Sequence, residues 1–421
     1  AVQFGRGVGE RAGDRNVRRR QLSGAAMTDF SRTRDLFHLP DGVIYLDGNS
    51  LGPLPKTALA RATRTMADEW GEMLIGGWNK AQWMAMPGQI GNRIARLIGA
   101  EEGSVVIGDT LSIKVYQALA SALDLRPDRR IVLSDSGNFP TDLYMIEGLE
   151  KQGLATRRLA ERDRILEALD EDVALLLLTH THYKTGAVFD MAELTRAAHD
   201  KGALVLWDLS HSVGAMPVDL NGCEADFAVG CGYKYLNGGP GAPAFAYVAE
   251  RHHASLAQPL TGWMGHARPF EFLDDYAPAP GTDRLLCGTP PILALAALEV
   301  GVDLIAEIGV ERLFAKSQAL SEFFRECLSE RGIALELVSP EDPERRGSHL
   351  SFRHENAYAL SQALIARGVV GDFRDPDILR LGFAPAYLRF EDMAGAARAL
   401  ADILDTGEWK RPEFSERSAV T

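Results

Sequence analysis

Two charged residues stand out by type and position. Asp208 closes an apolar run, Leu204-Val-Leu-Trp207, and Lys234 follows 26 residues later (234 − 208) within Val229-Gly-Cys-Gly-Tyr-Lys-Tyr-Leu-Asn-Gly-Gly-Pro-Gly241. Glycines around a lysine let the backbone come close to a ligand, and a partly desolvated amine loses its proton more readily, as imine formation requires. A carboxylate at the end of a buried strand can keep a ring nitrogen protonated, so that the ring accepts electrons. The pair therefore meets the two needs of pyridoxal phosphate, a Schiff-base lysine and an acid at the pyridine nitrogen. Taken singly, each has an ordinary alternative: a solvated lysine, and a turn or N-cap aspartate.

Other stretches supply what such a cofactor and an amino-acid substrate would need. Gly108-Asp-Thr-Leu-Ser112 lies between a strand and a helical stretch, where the amide of Leu111 and the hydroxyl of Ser112 are candidates to hold a phosphate. A plain Ser or Thr N-cap is the alternative. Phe139-Pro-Thr-Asp142 follows a strand that ends at Asp135, and Phe139 would stack on a pyridine ring unless it is simply structural. His211, three residues after Asp208, either sits beside the cofactor or is a hydrogen-bonded core histidine. Arg380, in Asp377-Ile-Leu-Arg-Leu-Gly-Phe-Ala-Pro385, offers a guanidinium fork that matches a substrate carboxylate; a surface arginine is the common alternative.

The elements that must position these residues read as α/β. Short apolar runs at Val105–Ile107, Ile131–Leu133, Val173–Leu178, Leu204–Trp207, Phe227–Val229 and Phe245–Val248 alternate with helical periodicity, for example at Val115–Leu125, Leu143–Gln152, Ile165–Leu169 and Met191–Lys201. This predicts a mostly parallel sheet flanked by helices, with ligands bound beyond the carboxyl ends of the strands. After Pro290-Pro291, long helical stretches at Ile292–Ile308 and Val310–Arg331, then shorter elements to about Leu404, predict a smaller α/β unit. The expected division is a segment 27–60 packing with the small unit or over the cleft, a large domain 61–290 and a small domain 291–421. Residues 1–26, with six Arg and no apolar periodicity, are expected to be a disordered translated leader or expression remnant ahead of Met27.

Composition narrows the function class. The chain has 421 residues, 46% hydrophobic, with 45 basic and 58 acidic side chains and a net charge of −13, which argues against a general nucleic-acid or anionic-membrane surface. No window approaches the roughly 18 to 20 apolar residues needed to span a bilayer. Cys223, Cys231, Cys287 and Cys327 match no zinc-ligand spacing, so reduced thiols, a cytoplasmic location and no metal are expected.

With these residues in view, the chain from about Phe30 to Leu404 resembles the kynureninase family, within the aspartate-aminotransferase superfamily of fold type I pyridoxal phosphate enzymes. The stretches that carry the likeness are Tyr45-Leu-Asp-Gly-Asn-Ser-Leu-Gly-Pro53, Trp78-Asn-Lys80, Phe139-Pro-Thr-Asp142, Trp207-Asp-Leu-Ser-His211, Cys231-Gly-Tyr-Lys-Tyr-Leu236, Gly262-Trp-Met-Gly-His266 and Arg346-Gly-Ser-His349. The resemblance implies that Lys234 carries the cofactor, Asp208 binds its pyridine nitrogen and Phe139 stacks on the ring. It further implies that Leu111, Ser112, His211, Tyr233, Trp263 and Thr289 hold the cofactor, that Asp142 supports its ring, and that Thr179 lies adjacent. Arg380 would take the substrate carboxylate, with Asn49, Ser50, Trp78 and His266 around the aromatic ketone. Trp263 and Thr289 would serve the site of a neighbouring subunit, making the working unit a homodimer.

The implied reaction is hydrolysis of L-kynurenine to anthranilate and L-alanine, with Lys234 moving the α-proton and Tyr233 as a proton source. His182 stands where a smaller amide is expected, and Trp78 replaces a histidine seen in animal relatives; both suggest a preference for kynurenine over its 3-hydroxy form. An aminotransferase or epimerase would give a keto acid or a D-isomer instead. A cysteine desulfurase would need a mobile thiol near Arg346–Phe352, where the sequence has none. A non-catalytic sensor on the same scaffold would bind pyridoxal without turnover.

Overall fold

The structure, a computed structural model, describes Phe30 and residues 32–417. The leader expected at 1–26 lies outside the described residues. Three two-residue strands open the fold: β1 (Phe37–His38), β2 (Ile44–Tyr45) and β3 (Leu54–Pro55). The main sheet follows, with β4 (Val105–Ile107), β5 (Ile131–Asp135), β6 (Thr156–Ala160), β7 (Val173–Thr179), β8 (Leu204–Asp208), β9 (Phe227–Gly230) and β10 (Phe245–Val248) in the order β4-β10-β9-β8-β7-β5-β6. The run from β9 to β6 is parallel throughout, and β10 is antiparallel to both of its neighbours. The expected mostly parallel α/β sheet is therefore what forms. β7, β8 and β9 are buried at every residue, as strands covered on both faces must be, which is why they read as unbroken apolar runs.

Beyond the long helices Ile292–Ile308 and Val310–Glu330 lies a second, antiparallel sheet of β11 (Glu336–Leu337), β12 (His349–Arg353), β14 (Asp372–Arg374) and β15 (Ile378–Gly382), in the order β11-β12-β15-β14. Period-two alternation sends Leu350, Phe352, Leu379 and Leu381 into a core shared with the helices Val310–Glu330, Ala357–Ala366 and Phe390–Thr406. His349, Ser351 and Arg380 thus point from the opposite face.

The N-terminal segment binds both units. β2 pairs in parallel with β13 (Val369–Val370), and Phe30, Phe37 and Leu46 enter the small unit's core. A few residues on, Gly52 donates its N–H to the Tyr233 carbonyl at 2.8 Å. The approach is so close that a Cβ on Gly52 would lie 2.3 Å from the Lys234 carbonyl oxygen, which only glycine permits. Among the described residues no helix is long and apolar enough to cross a membrane, and no cluster of side chains could hold a metal ion.

Candidate active site

The carboxyl ends of the parallel strands deliver the site. β8 ends at Asp208, which is 2% exposed and accepts the Ser210 N–H at 2.8 Å. Its neighbour in register is Thr179, the last residue of β7. The Thr179 hydroxyl donates to Asp142 at 3.3 Å and lies within hydrogen-bonding distance of the Asn138 side chain, which in turn accepts the Phe139 N–H at 2.7 Å. Asn138 escaped the sequence reading although it stands beside Phe139; it ties the turn after β5 to the end of β7.

Two carboxylates are thereby buried together. Asp142 is raised well above the ordinary carboxylate range, first by burial and then by the charge of Asp208; Asp208 is raised mainly by burial, against the pull of Lys234. One oxygen of Asp142 has no hydrogen-bond partner. Such a pair calls for a cationic N–H donor between it and solvent.

Lys234 follows β9 through the glycine-rich turn and is 9% exposed. Its amine lies 3.0 Å from His211 Nε2, 5.8 Å from the centre of the Phe139 ring and 5.9 Å from that of Tyr233. Burial, reinforced by the positive charges of Lys234 and Arg380, pushes His211 well below the usual histidine range. A neutral His211 that accepts from Lys234 through Nε2 carries its proton on Nδ1, and that buried atom has no partner. Burial raises the Tyr233 phenol above its ordinary value, so it stays protonated.

At the far side of the sheet, β4 leads into the helix Leu111–Asp124, whose N-cap Thr110 makes no side-chain cap. The first amides, including those of Leu111 and Ser112, are thus left for an anion. Lys114, fully buried one turn later, donates to the Leu285 carbonyl at 2.7 Å and pins this helix to the 285–289 segment.

Pyridoxal phosphate fits the residues present: an uncapped helix start for its phosphate, a buried acid pair with an unpaired oxygen for its ring nitrogen, Phe139 for its face and Lys234 for its aldehyde.

On the small-unit side, Arg380 is 1% exposed and most of its fork is already engaged within the chain. Nε donates to Asp372 at 2.9 Å and Nη2 to the other oxygen of Asp372; Nη2 also donates to Ser50 at 2.8 Å, and Nη1 to the Tyr183 carbonyl. Those four contacts take four of the five guanidinium N–H groups. Asp372 faces Arg380 across the β14–β15 pairing, a relation that the turn-like stretch Gly371-Asp-Phe-Arg-Asp-Pro376 does not advertise. Asn49 also packs here, its side-chain oxygen 3.1 to 3.2 Å from the same guanidinium once the amide is oriented to accept. Asp47 is pushed up to about 7 by burial and by Asp372.

The remaining candidates are not gathered around Lys234 by any hydrogen bond or ring contact. His266 closes its own loop, accepting the Arg268 N–H at 2.8 Å and meeting the Asp275 carbonyl at 3.2 Å. Trp78 packs edge-on against Trp83, and Trp263 against Phe270. Thr289 is exposed. His182, expected to shape the substrate side, has both ring nitrogens engaged, with the Gly137 carbonyl at 2.8 Å and with Thr185 at 3.1 Å, and is a loop clamp.

Comparison with known proteins decides the kinship. The chain is 48% identical over 397 residues to the kynureninase of Burkholderia pseudomallei (strain K96243), covering 92% of this chain and 95% of that one. The chain belongs to the kynureninase family. The kynureninase of Pseudomonas fluorescens is 46% identical over 405 residues, 94% of this chain and 97% of that one. A family model described as the kynureninase C-terminal domain matches residues 313–400. Among solved structures, the apo cysteine desulfurase of Thermococcus onnurineus NA1 superposes with a TM-score of 0.76 at 18% identity, covering 89% of this chain and 98% of that one. A likeness at that identity speaks to the fold. The desulfurase thiol has no counterpart here, since Arg346–Phe352 contains no cysteine and Cys327 is buried in the helix Val310–Glu330.

Proposed function

We infer that this chain is a pyridoxal phosphate-dependent hydrolase that cleaves L-kynurenine to anthranilate and L-alanine in tryptophan catabolism. The observation that carries the reading is the kinship of 46–48% along nine-tenths of the chain, joined to the convergence of Asp208, Asp142, His211 and Lys234 at one end of one sheet. When bound, pyridoxal phosphate supplies an aldehyde for the lysine and a cationic ring that draws electrons from the substrate's α-carbon.

The chain's own residues do the rest. Lys234 Nζ carries the cofactor and then moves the α-proton. Asp208, uncomfortable as a buried anion, keeps the ring nitrogen protonated, and Asp142, held by Thr179, supports the same edge. Phe139 covers the ring face. The start of the helix at Leu111 and Ser112 holds the phosphate, with His211 Nδ1 as a further donor. Tyr233, protonated at working pH, returns a proton to the three-carbon product. Arg380, set in place by Asp372, Ser50 and Asn49, meets the substrate carboxylate with its remaining N–H.

Trp263, Thr289 and His266 lie on a segment that also exposes Phe270 and Phe272, so we assign them to the site of a second subunit in a cytoplasmic homodimer. No nucleic-acid or membrane partner is assigned. For the domain division we keep the segment 27–60, a large domain 61–290 and a small domain 291–421 as the proposal, with the helix Ile292–Ile308 bridging the two, since its Leu295, Ala296, Leu298 and Val302 pack in the large unit's core. Trp78 is assigned to the wall around the substrate's aromatic ring, where it would favour kynurenine; comparable or greater kcat/KM on 3-hydroxykynurenine would remove that preference.

The test is direct. Purified protein should show the visible absorbance of lysine-linked pyridoxal and release fluorescent anthranilate with one L-alanine per turnover. Lys234→Ala should abolish both. A keto acid or D-amino acid as product, or pyridoxal binding without turnover, would refute the reading.

A further inference from the structure

His349 sits in this site with nothing to do. It is 1% exposed, and neither ring nitrogen has a hydrogen-bond partner. Leaving a buried N–H unpaired is unfavourable, so the arrangement is complete only when something else pairs with it. Its place is fixed from four sides. β12 pairs with β15, and His349 stands opposite Gly382, on the face that carries Arg380. Arg380 stands opposite Ser351, which makes His349 and Arg380 diagonal neighbours across the two strands, at a spacing of about 7–8 Å that long side chains bridge. The His211 ring lies 5.5 Å away, centre to centre. Gly186 closes over the top, where a Cβ would come within 3.3 Å of His349 Nε2. Burial, with Arg380 beside it, keeps this imidazole neutral, so one nitrogen donates and the other accepts.

Arg380 needs help at the same spot. With four of its N–H groups engaged by Asp372, Ser50 and Tyr183, it cannot grip a carboxylate with two parallel bonds by itself. We propose that His349 is a further substrate-binding residue, donating a ring N–H to the carboxylate of the amino-acid ligand that Arg380 meets from the adjoining strand. The assignment rests on the proposed function, in that it takes the ligand to be an α-amino acid.

The experiment compares binding of L-alanine and L-alaninamide to the holoenzyme by calorimetry, in the parent, His349→Leu and His349→Gln. The two ligands share the methyl group and the α-amine, and only L-alanine carries a carboxylate, which accepts a charged hydrogen bond where the amide carbonyl accepts a weaker neutral one. His349→Leu should weaken L-alanine at least about tenfold, a charged hydrogen bond's worth, and leave L-alaninamide within about twofold. His349→Gln, which restores an N–H donor, should bring L-alanine back to within about threefold of the parent. Unchanged L-alanine affinity in His349→Leu overturns the proposal. Equal loss of both ligands also overturns it, since that marks a merely structural role. A parent holoenzyme that binds neither ligand refutes the amino-acid reading itself, so the two failures are distinguishable.

Discussion

Asp208 and Asp142 lie beyond the reach of water, and burial drives both toward the neutral form. A cationic N–H beside them would favour the charged form of Asp208, which is the service the ring nitrogen would draw on. Asp208→Asn keeps the shape and removes the charge. We expect kcat to fall at least about a hundredfold with the cofactor retained, measured by anthranilate release alongside absorbance. Asp47 gives a separate test on stability. Its carboxyl is raised from 3.8 to about 7, so between those values the unfolded chain has lost a proton that the folded chain keeps. Folding stability therefore falls as pH rises through that window, and the loss is complete above it. Asp47→Asn abolishes this contribution. Its melting temperature relative to the parent should rise between about pH 4 and about pH 8, and a constant difference would show that Asp47 does not titrate in that window.

At the level of elements, the sequence revealed what burial writes plainly and hid what pairing decides. The apolar runs named β4, β5, β7, β8, β9 and β10 because strands covered on both faces leave no room for polar residues. β6 is an edge strand, Thr156-Arg-Arg-Leu-Ala160, and its charged residues suit an edge while concealing the strand. The helix Met86–Leu97 carries Gly88 and Gly91, residues that usually signal turns; Gly91 is needed because a Cβ there would lie 2.1 Å from the Val105 carbonyl oxygen. In the site, Lys234, Asp208, His211 and Phe139 were legible from their strand ends. Asp372 and His349 were not, because only the register of β14, β15 and β12 brings them to Arg380.

The sheet also has a polar anchor on its other end. Asp226, buried before β9, accepts from His199 at 2.8 Å, His252 at 2.7 Å, Arg251 at 2.7 Å and the Val205 N–H at 2.9 Å. These partners hold its carboxyl below the usual range despite burial. Asp226→Ala should cost about 3 kcal/mol in denaturant unfolding, since it strands donors from three elements. The proposed catalytic groups lie at the opposite, carboxyl ends of the strands, so kcat of the folded fraction should be unchanged.

For the whole molecule, the exposed Phe270 and Phe272, 58% and 76% accessible, sit beside Trp263 on a segment that no hydrogen bond or ring contact joins to Lys234 among the described residues. If that segment completes a second subunit's site, two crippled proteins should rescue one another. Lys234→Ala and Thr289→Ala subunits, unfolded together and refolded as mixed dimers, should regain up to about a quarter of parent activity, because half the dimers are mixed and each has one intact site. Activity that stays at the level of the separate variants would place Thr289 in its own subunit's site or in none.

The pairing of Ile44–Tyr45 with Val369–Val370 joins residues 325 positions apart (369 − 44). A ribosome adding about 5–20 residues per second needs tens of seconds to make the second half of that pair. Throughout that interval Phe37, Leu46 and the edge of β2 have been made, yet their partners do not exist. The small unit must accordingly be among the last parts of the newborn chain to settle, and the early stretch awaiting it is where a chaperone would find its grip.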